Sequence, residues 1–497
     1  MGTAALHLAI DLGAGSGRAI VGQTGPSGLV LREAHRFQYA PRHSAGHLRW
    51  DFAALLEGVR DGLRRAPSVA RELGGHLESV GVDSWGVDYG LVDDDGRLLE
   101  DPICYRDART EGVMEEVFAH LPREEIFART GIQFLALNTL YQLVAHARKG
   151  LPAGAARLLM IPDLCHHELC GSLVGERTNA STTQLIDVHD GGWDGTLFER
   201  LELPLALMPE VVPAGAELGL LRPRLQSELG VGPLRVVAPA THDTGSAVLG
   251  TPLEPGWAYI SSGTWSLVGV ERESPLVSAE VARANFTNEG GAFGTVRFLK
   301  NVMGLWILEE CRREWDEAGQ RQEYATLLEG VAALDDFAGF IPPDHPRFFN
   351  PSSMIAEVRD ALAESGQPAS DDPVRLTRVI LDSLALRYAS VLATIEDLTG
   401  REVPGVHIVG GGSLNSYLNQ ATADAAERPV LAGPVEATAS GNLLAQAIAC
   451  GELASVSDGR RVLGDGVRPR RFTPRRPEAW TQAARHAREI EEALRPT

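Results

Sequence analysis

Residues 6–22 constrain this chain most. An apolar run (6–10) meets the turn Asp11-Leu-Gly-Ala-Gly-Ser-Gly-Arg18, and a second apolar run (19–22) follows. That order predicts a β-hairpin, not a strand entering a helix. Small residues at Gly13, Ala14, Gly15, Ser16 and Gly17 let backbone N–H groups approach phosphate oxygens closely. Asp11, at the strand end, faces that anion and helps only where a divalent metal lies between, so the pattern points to a nucleoside triphosphate with Mg²⁺. The missing Gly-Lys-Ser/Thr ending excludes a P-loop, and the missing helix and glycine spacing exclude a dinucleotide fingerprint. A plain glycine-rich turn with a solvated aspartate is the competing reading.

The pattern recurs. After the Pro/Gly-rich stretch Thr251-Pro-Leu-Glu-Pro-Gly256 come a strand (258–261), the turn Ser262-Gly263-Thr264 and another strand (265–270). A third glycine turn, Gly410-Gly-Gly412, follows the strand 406–409, where bare backbone permits flat contact with a purine or ribose. Two domains, 1–250 and 251–497, that each open on a strand, a phosphate-sized turn and a strand imply a duplicated α/β fold closing on one nucleotide. A length of 497 residues accommodates this, and the net charge of −20 argues against nucleic acid as a partner. No apolar run approaches the ~18 residues of a membrane span, and the N-terminus enters a strand directly, so a cytoplasmic enzyme is expected. The five scattered cysteines are expected as reduced thiols. Only two lysines occur, Lys149 and Lys300; a compositional bias towards arginine explains this.

Asp243 follows a strand expected at 234–238, between His242 and Thr244, where α/β folds place functional groups. An aspartate there accepts a proton from a hydroxyl attacking a γ-phosphoryl group; an N-cap is the alternative role. Strands are expected at 6–10, 19–23, 29–37 and 79–92, and helices through 111–149. Asp51 starts a helix with Leu55, Leu56 and Val59 on one face and Arg64 and Arg65 near its end. Within 81–90, GVDSWGVDYG, Trp85 and Tyr89 suggest a platform for a sugar face beside Gly86; a hairpin with a packed tryptophan is the plainer reading. Asp93-Asp-Asp95-Gly96 reads as a solvated turn. A zinc site in Cys165-His-His-Glu-Leu-Cys170 is disfavoured, because a helix splits its ligands between faces. Residues 298–309, FLKNVMGLWILE, read as a mostly buried helix carrying Lys300 and Asn301 near its start and Glu309 two turns on. The tail 480–494 reads as a surface helix exposing Arg485, Arg488 and Glu491.

An ordered series of motifs spans nearly the whole chain: DLGAGSGR, GVDSWGVDYGLVD, YRDART, GIQFLALNTLYQL, TNASTTQL, THDTGSAV, SSGTWSL, TNEGG, LKNVMGLW, DSLALRYA, HIVGGGSLN and AGPVEATASGN. It resembles the glycerol kinase and xylulokinase family of carbohydrate kinases, and within it the rhamnulokinase branch. The resemblance implies two duplicated ribonuclease H-like (actin-like ATPase) α/β domains with a nucleotide cleft between them. The first would bind sugar and phosphate, and the second the nucleotide. It implies ATP-dependent phosphorylation of the C1 hydroxyl of L-rhamnulose, with Mg²⁺ required and Asp11 acting on the metal through water. Ala14, Gly15, Ser16, Gly17 and Arg18 would bind ATP phosphates, Thr264 the γ-phosphate side, and Asn301, Glu309 and Gly411 the nucleoside end. Gly86, His242, Asp243 and Thr244 would contact the ketose, Asp243 as the base. Glu309 stands where relatives carry glutamine, adding negative charge near an anion. Other ketoses (L-fuculose, L-ribulose, D-xylulose) are alternative substrates, and a noncatalytic actin-fold ATPase switch is the alternative from another class.

Overall fold

Sterics at Gly17 fix the geometry of the first hairpin. In the computed structural model, which describes residues 4–25, 28–466 and 468–494, Ala4–Leu12 and Ser16–Gly25 pair antiparallel, with Asp11 opposite Arg18 and Leu12 opposite Gly17. A Cβ on Gly17 would overlap the ring of Phe37, which stands on the neighbouring strand Gly28–Gln38. Leu6, Leu8 and Ile10 are fully buried, and His7 and Ala9 between them are buried as well, so this central strand is covered on both faces.

The chain divides into two units. The first comprises residues 1–252, 271–298 and 437–467, and the second 253–270, 299–436 and 468–497. The first unit's sheet has the order Ala216–Leu220, Arg235–Ala238, Gly75–Ser84, Ala4–Leu12, Ser16–Gly25, Gly28–Gln38. Its strands 235–238, 75–84 and 4–12 run parallel, and the flanking pairings are antiparallel. The sheet of the second unit contains, in order, Val296–Met303, Trp265–Arg272, Ala258–Ser262, Val406–Val409, Val430–Ala432 and Arg470–Phe472. Here too three parallel strands (258–262, 406–409, 430–432) have antiparallel neighbours. Both sheets share a hairpin and three parallel strands in the same order, which is the duplication that the repeated hairpins predict; the outer edge strand differs, since 216–220 precedes its neighbour 235–238 in the chain whereas 470–472 follows 430–432.

Helix Ala437–Ala449 belongs to the first unit although it lies far along the chain. It crosses helix Asp243–Leu249 at backbone contact: a Cβ on Gly441 would overlap the Ser246 carbonyl, and one on Gly250 the Ala437 carbonyl. Glycine at both positions is what lets the two helices approach so closely.

Several local expectations change. The helix capped by Asp51 does not end near Arg65 but runs Phe52–Glu72 through Pro67, because Ala66 and Ala70 continue its buried face. The expected strand 79–92 is two, Gly75–Ser84 and Tyr89–Val92, parted by a turn in which Val87 has φ +67°. The region 111–149 holds three helices, Val113–His120, Arg123–Thr130 and Thr139–Lys149, broken by Pro122 and by Gly131 at φ +63°. Residues 298–309 are not one helix. Val296–Met303 is a strand, so Lys300 and Asn301 lie on a strand, and Trp306–Glu317 is the helix. Gly304 separates them: its Cβ would stand 2.7 Å from the Gly263 carbonyl oxygen, so the backbone turns there against the second hairpin.

The Asp93 turn, the free thiols and the exposed tail helix agree with the sequence. Asp93 Oδ1 accepts from the backbone of Asp95 and Arg97 as a turn. All five cysteines are free thiols. In helix Ile161–Cys170, His166 Nε2 accepts from Val82 N and His167 lies between the carbonyls of Gly96 and Ser172, which are structural roles. The tail helix is Pro477–Ala493, with Arg485, Arg488 and Glu491 exposed.

Candidate active site

Three parallel strands of the first unit deliver carboxylates from their C-terminal ends. Asp11 ends the first strand, Asp83 the strand 75–84, and Asp243 opens the helix after strand 235–238. Ser84 N donates to the Thr241 carbonyl at 2.9 Å, which ties the second and third of these ends together. Residues at the carboxyl ends of parallel strands are the usual site-bearing positions of such sheets. Arg18 Nη2 reaches Asp11 Oδ2 at 2.8 Å across the hairpin. Burial, then the neighbouring Asp11 carboxylate, holds the Asp83 carboxyl well above the usual range, opposed by a hydrogen bond from Asn442 Nδ2 at 2.5 Å; Asp243 adds a smaller upward push.

Asp243 is not the N-cap. His242 occupies that position, and Asp243 is the first helical residue. Its Oδ1 accepts from Thr244 N at 2.5 Å and Thr244 Oγ1 at 3.1 Å. The loop before it is braced by buried Glu176, whose carboxylate accepts from Thr178 N and Oγ1 and from Thr241 N and Oγ1. Thr178 Oγ1 in turn accepts from His242 N at 3.1 Å. His242 and Asp243 are therefore held from behind by a fully bonded carboxylate.

Trp85 packs against Trp50 with centroids 4.5 Å apart, and both rings lie 6.2 Å from Tyr39. Tyr89 does not join Trp85 in a platform; its hydroxyl meets His146 Nδ1 at 3.1 Å and Arg109 stands over its ring. The tryptophans are oriented by buried Asp88, which accepts from Trp50 Nε1 (2.7 Å), Trp85 Nε1 (3.0 Å), Tyr105 N (3.2 Å) and Gln142 Nε2 (3.1 Å). Burial raises its pKa to about 6 against those four donors. The bare Cα of Gly86 faces Thr182, whose Oγ1 would stand 2.8 Å from an added Cβ.

Of the candidate nucleotide residues, Ala14 and Gly15 lie in the first hairpin turn, and Ser16, Gly17 and Arg18 open its second strand. Tyr39 clasps the turn with its hydroxyl on the Gly13 carbonyl (2.5 Å) and its N–H on the Gly15 carbonyl (3.3 Å). Thr264, Asn301, Glu309 and Gly411 all lie in the second unit. The Thr264 carbonyl accepts from Gly304 N and Trp306 N, both at 3.2 Å. Gly411 opens the turn Gly411–Leu414, and a Cβ on the next glycine, Gly412, would overlap Ser262 Oγ. Two loops, 262–264 and 410–414, thus meet backbone to backbone. Glu309 is paired by Arg312, Nη1 to Oε2 at 2.8 Å; Arg312 lies over Tyr324, whose hydroxyl accepts from Asn415 Nδ2 at 3.0 Å. That arginine offsets the charge Glu309 adds.

Sequence reading gave no role to Asp83, Asp88, Glu176, Glu289, Arg297 or Asn442. Four of them fall in motifs quoted above (GVDSWGVDYGLVD, TNEGG and AGPVEATASGN), where acids and an amide amid small or apolar residues were the available signal.

Residues 6–250 match the model of the "FGGY family of carbohydrate kinases, N-terminal domain", and residues 258–450 that of the C-terminal domain. The chain belongs to the FGGY family of carbohydrate kinases. A protein named rhamnulokinase from Pectobacterium carotovorum subsp. carotovorum (strain PC1) is 43% identical to this FGGY kinase over 98% of this chain and 96% of its own. A second, from Bacteroides thetaiotaomicron, is 39% identical over 96% and 98%. Among solved structures, this kinase's fold is similar to a gluconate kinase from Lactobacillus acidophilus (TM-score 0.80, 12% identity, 99% of this chain and 98% of that one). Plasmodium falciparum glycerol kinase with ADP is also similar (TM-score 0.79, 14% identity, 100% of both chains). The FGGY kinase fold is thus the two-domain α/β sugar kinase fold. Among the described residues no helix is long and apolar enough to cross a membrane.

Proposed function

We propose that this kinase transfers the γ-phosphoryl group of ATP to the C1 hydroxyl of L-rhamnulose, giving L-rhamnulose 1-phosphate and ADP in L-rhamnose catabolism in the cytoplasm. The observation that carries the substrate is identity of 38–43% over most of the chain to proteins named rhamnulokinase. Residues 1–250 supply the sugar and phosphate contacts, and 251–497 the nucleotide contacts, the Thr264 turn included.

Asp243 accepts the C1 hydroxyl proton as the oxygen bonds to the γ-phosphorus; the bond to the β,γ-bridging oxygen breaks and its electrons leave with ADP. The transition state of such transfers is loose, so positioning and charge neutralisation outweigh base strength. His242, Thr244 and Gly86 orient the ketose beside the Trp50–Trp85 pair. Backbone N–H groups of 14–18 and of the Thr264 turn take the phosphates, while Arg18 adds a cation. Asn301, Gly411 and the Glu309–Arg312 pair meet the nucleoside.

Among the described residues no three His, Cys, Asp or Glu side chains form a direct metal cage. The hard carboxylate oxygens of Asp11 suit a hydrated Mg²⁺, which Asp11 would hold through water. When bound, Mg²⁺ supplies charge neutralisation across the phosphates.

ADP release is measured with L-rhamnulose, L-fuculose, L-ribulose, D-xylulose and glycerol. L-Rhamnulose is expected to give the highest kcat/KM; a preference for glycerol or D-xylulose would refute the substrate, and turnover indifferent to every sugar would favour an ATPase switch. Asp243→Asn is expected to lower kcat by about 10²–10⁴-fold in a folded protein; near-normal sugar-dependent turnover would refute the base.

A further inference from the structure

The motif Thr287-Asn-Glu-Gly-Gly291 and the arginine that follows it have no part in the reaction so far. Arg297 is fully buried on strand Val296–Met303, and Glu289 is buried on strand Thr287–Gly290. The guanidinium Nε donates to the Gly290 carbonyl at 2.9 Å. Nη2 lies 2.9 Å from His242 Nδ1 and 3.2 Å from Glu289 Oε2. Glu289 Oε2 is itself 3.3 Å from the same Nδ1, so the imidazole faces two groups with opposite demands.

An arginine only donates and a carboxylate only accepts. Nη2 donates one N–H to His242 Nδ1 over 2.9 Å and faces the Glu289 carboxylate as an ion pair at 3.2 Å. Nδ1 must then present its lone pair, which places the imidazole proton on Nε2. We infer that Arg297 is a positioning residue that fixes His242 as the neutral Nε2–H tautomer and so sets the orientation of Asp243. The inference rests on Asp243 as the base.

Nε2 faces Asp243 Oδ1 across 3.5 Å, a separation that shortens readily when substrate closes such a site. Oδ1 also takes both donors of Thr244. Among the described residues every contact of Asp243 ends on Oδ1. With Nε2–H added, that oxygen meets donors only, and Oδ2 is kept for the substrate hydroxyl. The opposite tautomer would set a nitrogen lone pair against Oδ1 and turn the carboxylate away. Burying the guanidinium costs solvation, and Glu289 offsets its charge.

The test is the protonation pattern of His242, read from long-range ¹⁵N–¹H correlations of the full-length protein labelled with [¹⁵N]histidine and assigned by the signal lost in His242→Gln. The expected wild-type pattern is Nε2–H with bare Nδ1. In Arg297→Met, Glu289 draws the proton and the pattern reverses to Nδ1–H; kcat falls about tenfold or more while KM for the sugar stays within about threefold. In Arg297→Met/Glu289→Gln the glutamine amide donates to Nδ1, and both the Nε2–H tautomer and turnover return. A wild-type Nδ1–H or doubly protonated ring overturns the inference without any variant having to fold, as does an unchanged tautomer in Arg297→Met. Failure of the base reading is separate: Asp243→Asn would keep its turnover while the tautomer pattern stood.

Discussion

Asp88→Asn tests whether one buried carboxylate orients the tryptophan pair at a cost in stability that depends on pH. Asp88 is fully buried, with three donors on Oδ2 and Gln142 Nε2 on Oδ1. Its pKa rises from 3.8 to about 6 because burial penalises the charged form more than those donors favour it. The native state therefore holds the proton more tightly than the unfolded chain. The resulting stabilisation is complete below about pH 4 and is lost as pH rises through about 6. The whole interval corresponds to about 3 kcal/mol, of which about 1.4 kcal/mol disappears between pH 5 and pH 8. Asparagine cannot titrate, so its stability lacks this slope. It also sets an NH₂ against Gln142 Nε2 when its oxygen keeps the indole donors, costing about 1–3 kcal/mol. Equilibrium urea unfolding of both proteins at pH 5 and pH 8, followed by tryptophan fluorescence, is expected to show the wild-type advantage shrinking by about 1.4 kcal/mol at the higher pH. Groups common to the two proteins cancel in that difference. Parallel pH profiles would refute the assignment of the raised pKa to Asp88.

Gly412→Ala forces a Cβ into Ser262 Oγ and parts loops 262–264 and 410–414. It is expected to raise KM for ATP and to cost about 1–3 kcal/mol, with partial recovery in Gly412→Ala/Ser262→Gly; unchanged nucleotide kinetics would separate the loop contact from nucleotide binding. Cys104, Cys165 and Cys311 are buried, and burial pushes their thiols up, whereas Cys170 and Cys450 are half-buried. At most two of the five thiols should react promptly with an aromatic disulfide reagent at pH 8, and all five after denaturation. A third fast thiol in the native protein would contradict the packing.

Both hairpins, with Asp11 opposite Arg18 and the Ser262-Gly-Thr264 turn, were legible because alternating apolar runs around small-residue turns are local patterns. The helix opening at Asp243 was legible for the same reason. Residues 298–309 misled because an apolar run fits a buried strand as well as a helix; the decision came from Gly304, which admits only bare backbone against the second hairpin. The division of 79–92 came from the donors gathered on Asp88, three of them brought from residues 50, 105 and 142, outside that segment.

By itself the sequence determined where the chain turns and where acids end strands, since steric size and hydrophobic alternation act within a few residues. Tertiary structure alone decided which distant groups share a proton or a charge. It sent helix Ala437–Ala449 into the first unit to bond Asp83, and it set Arg297 and Glu289 on the far side of His242. Those pairings depend on direction and on distances of about 3 Å, which spacing along a chain does not encode.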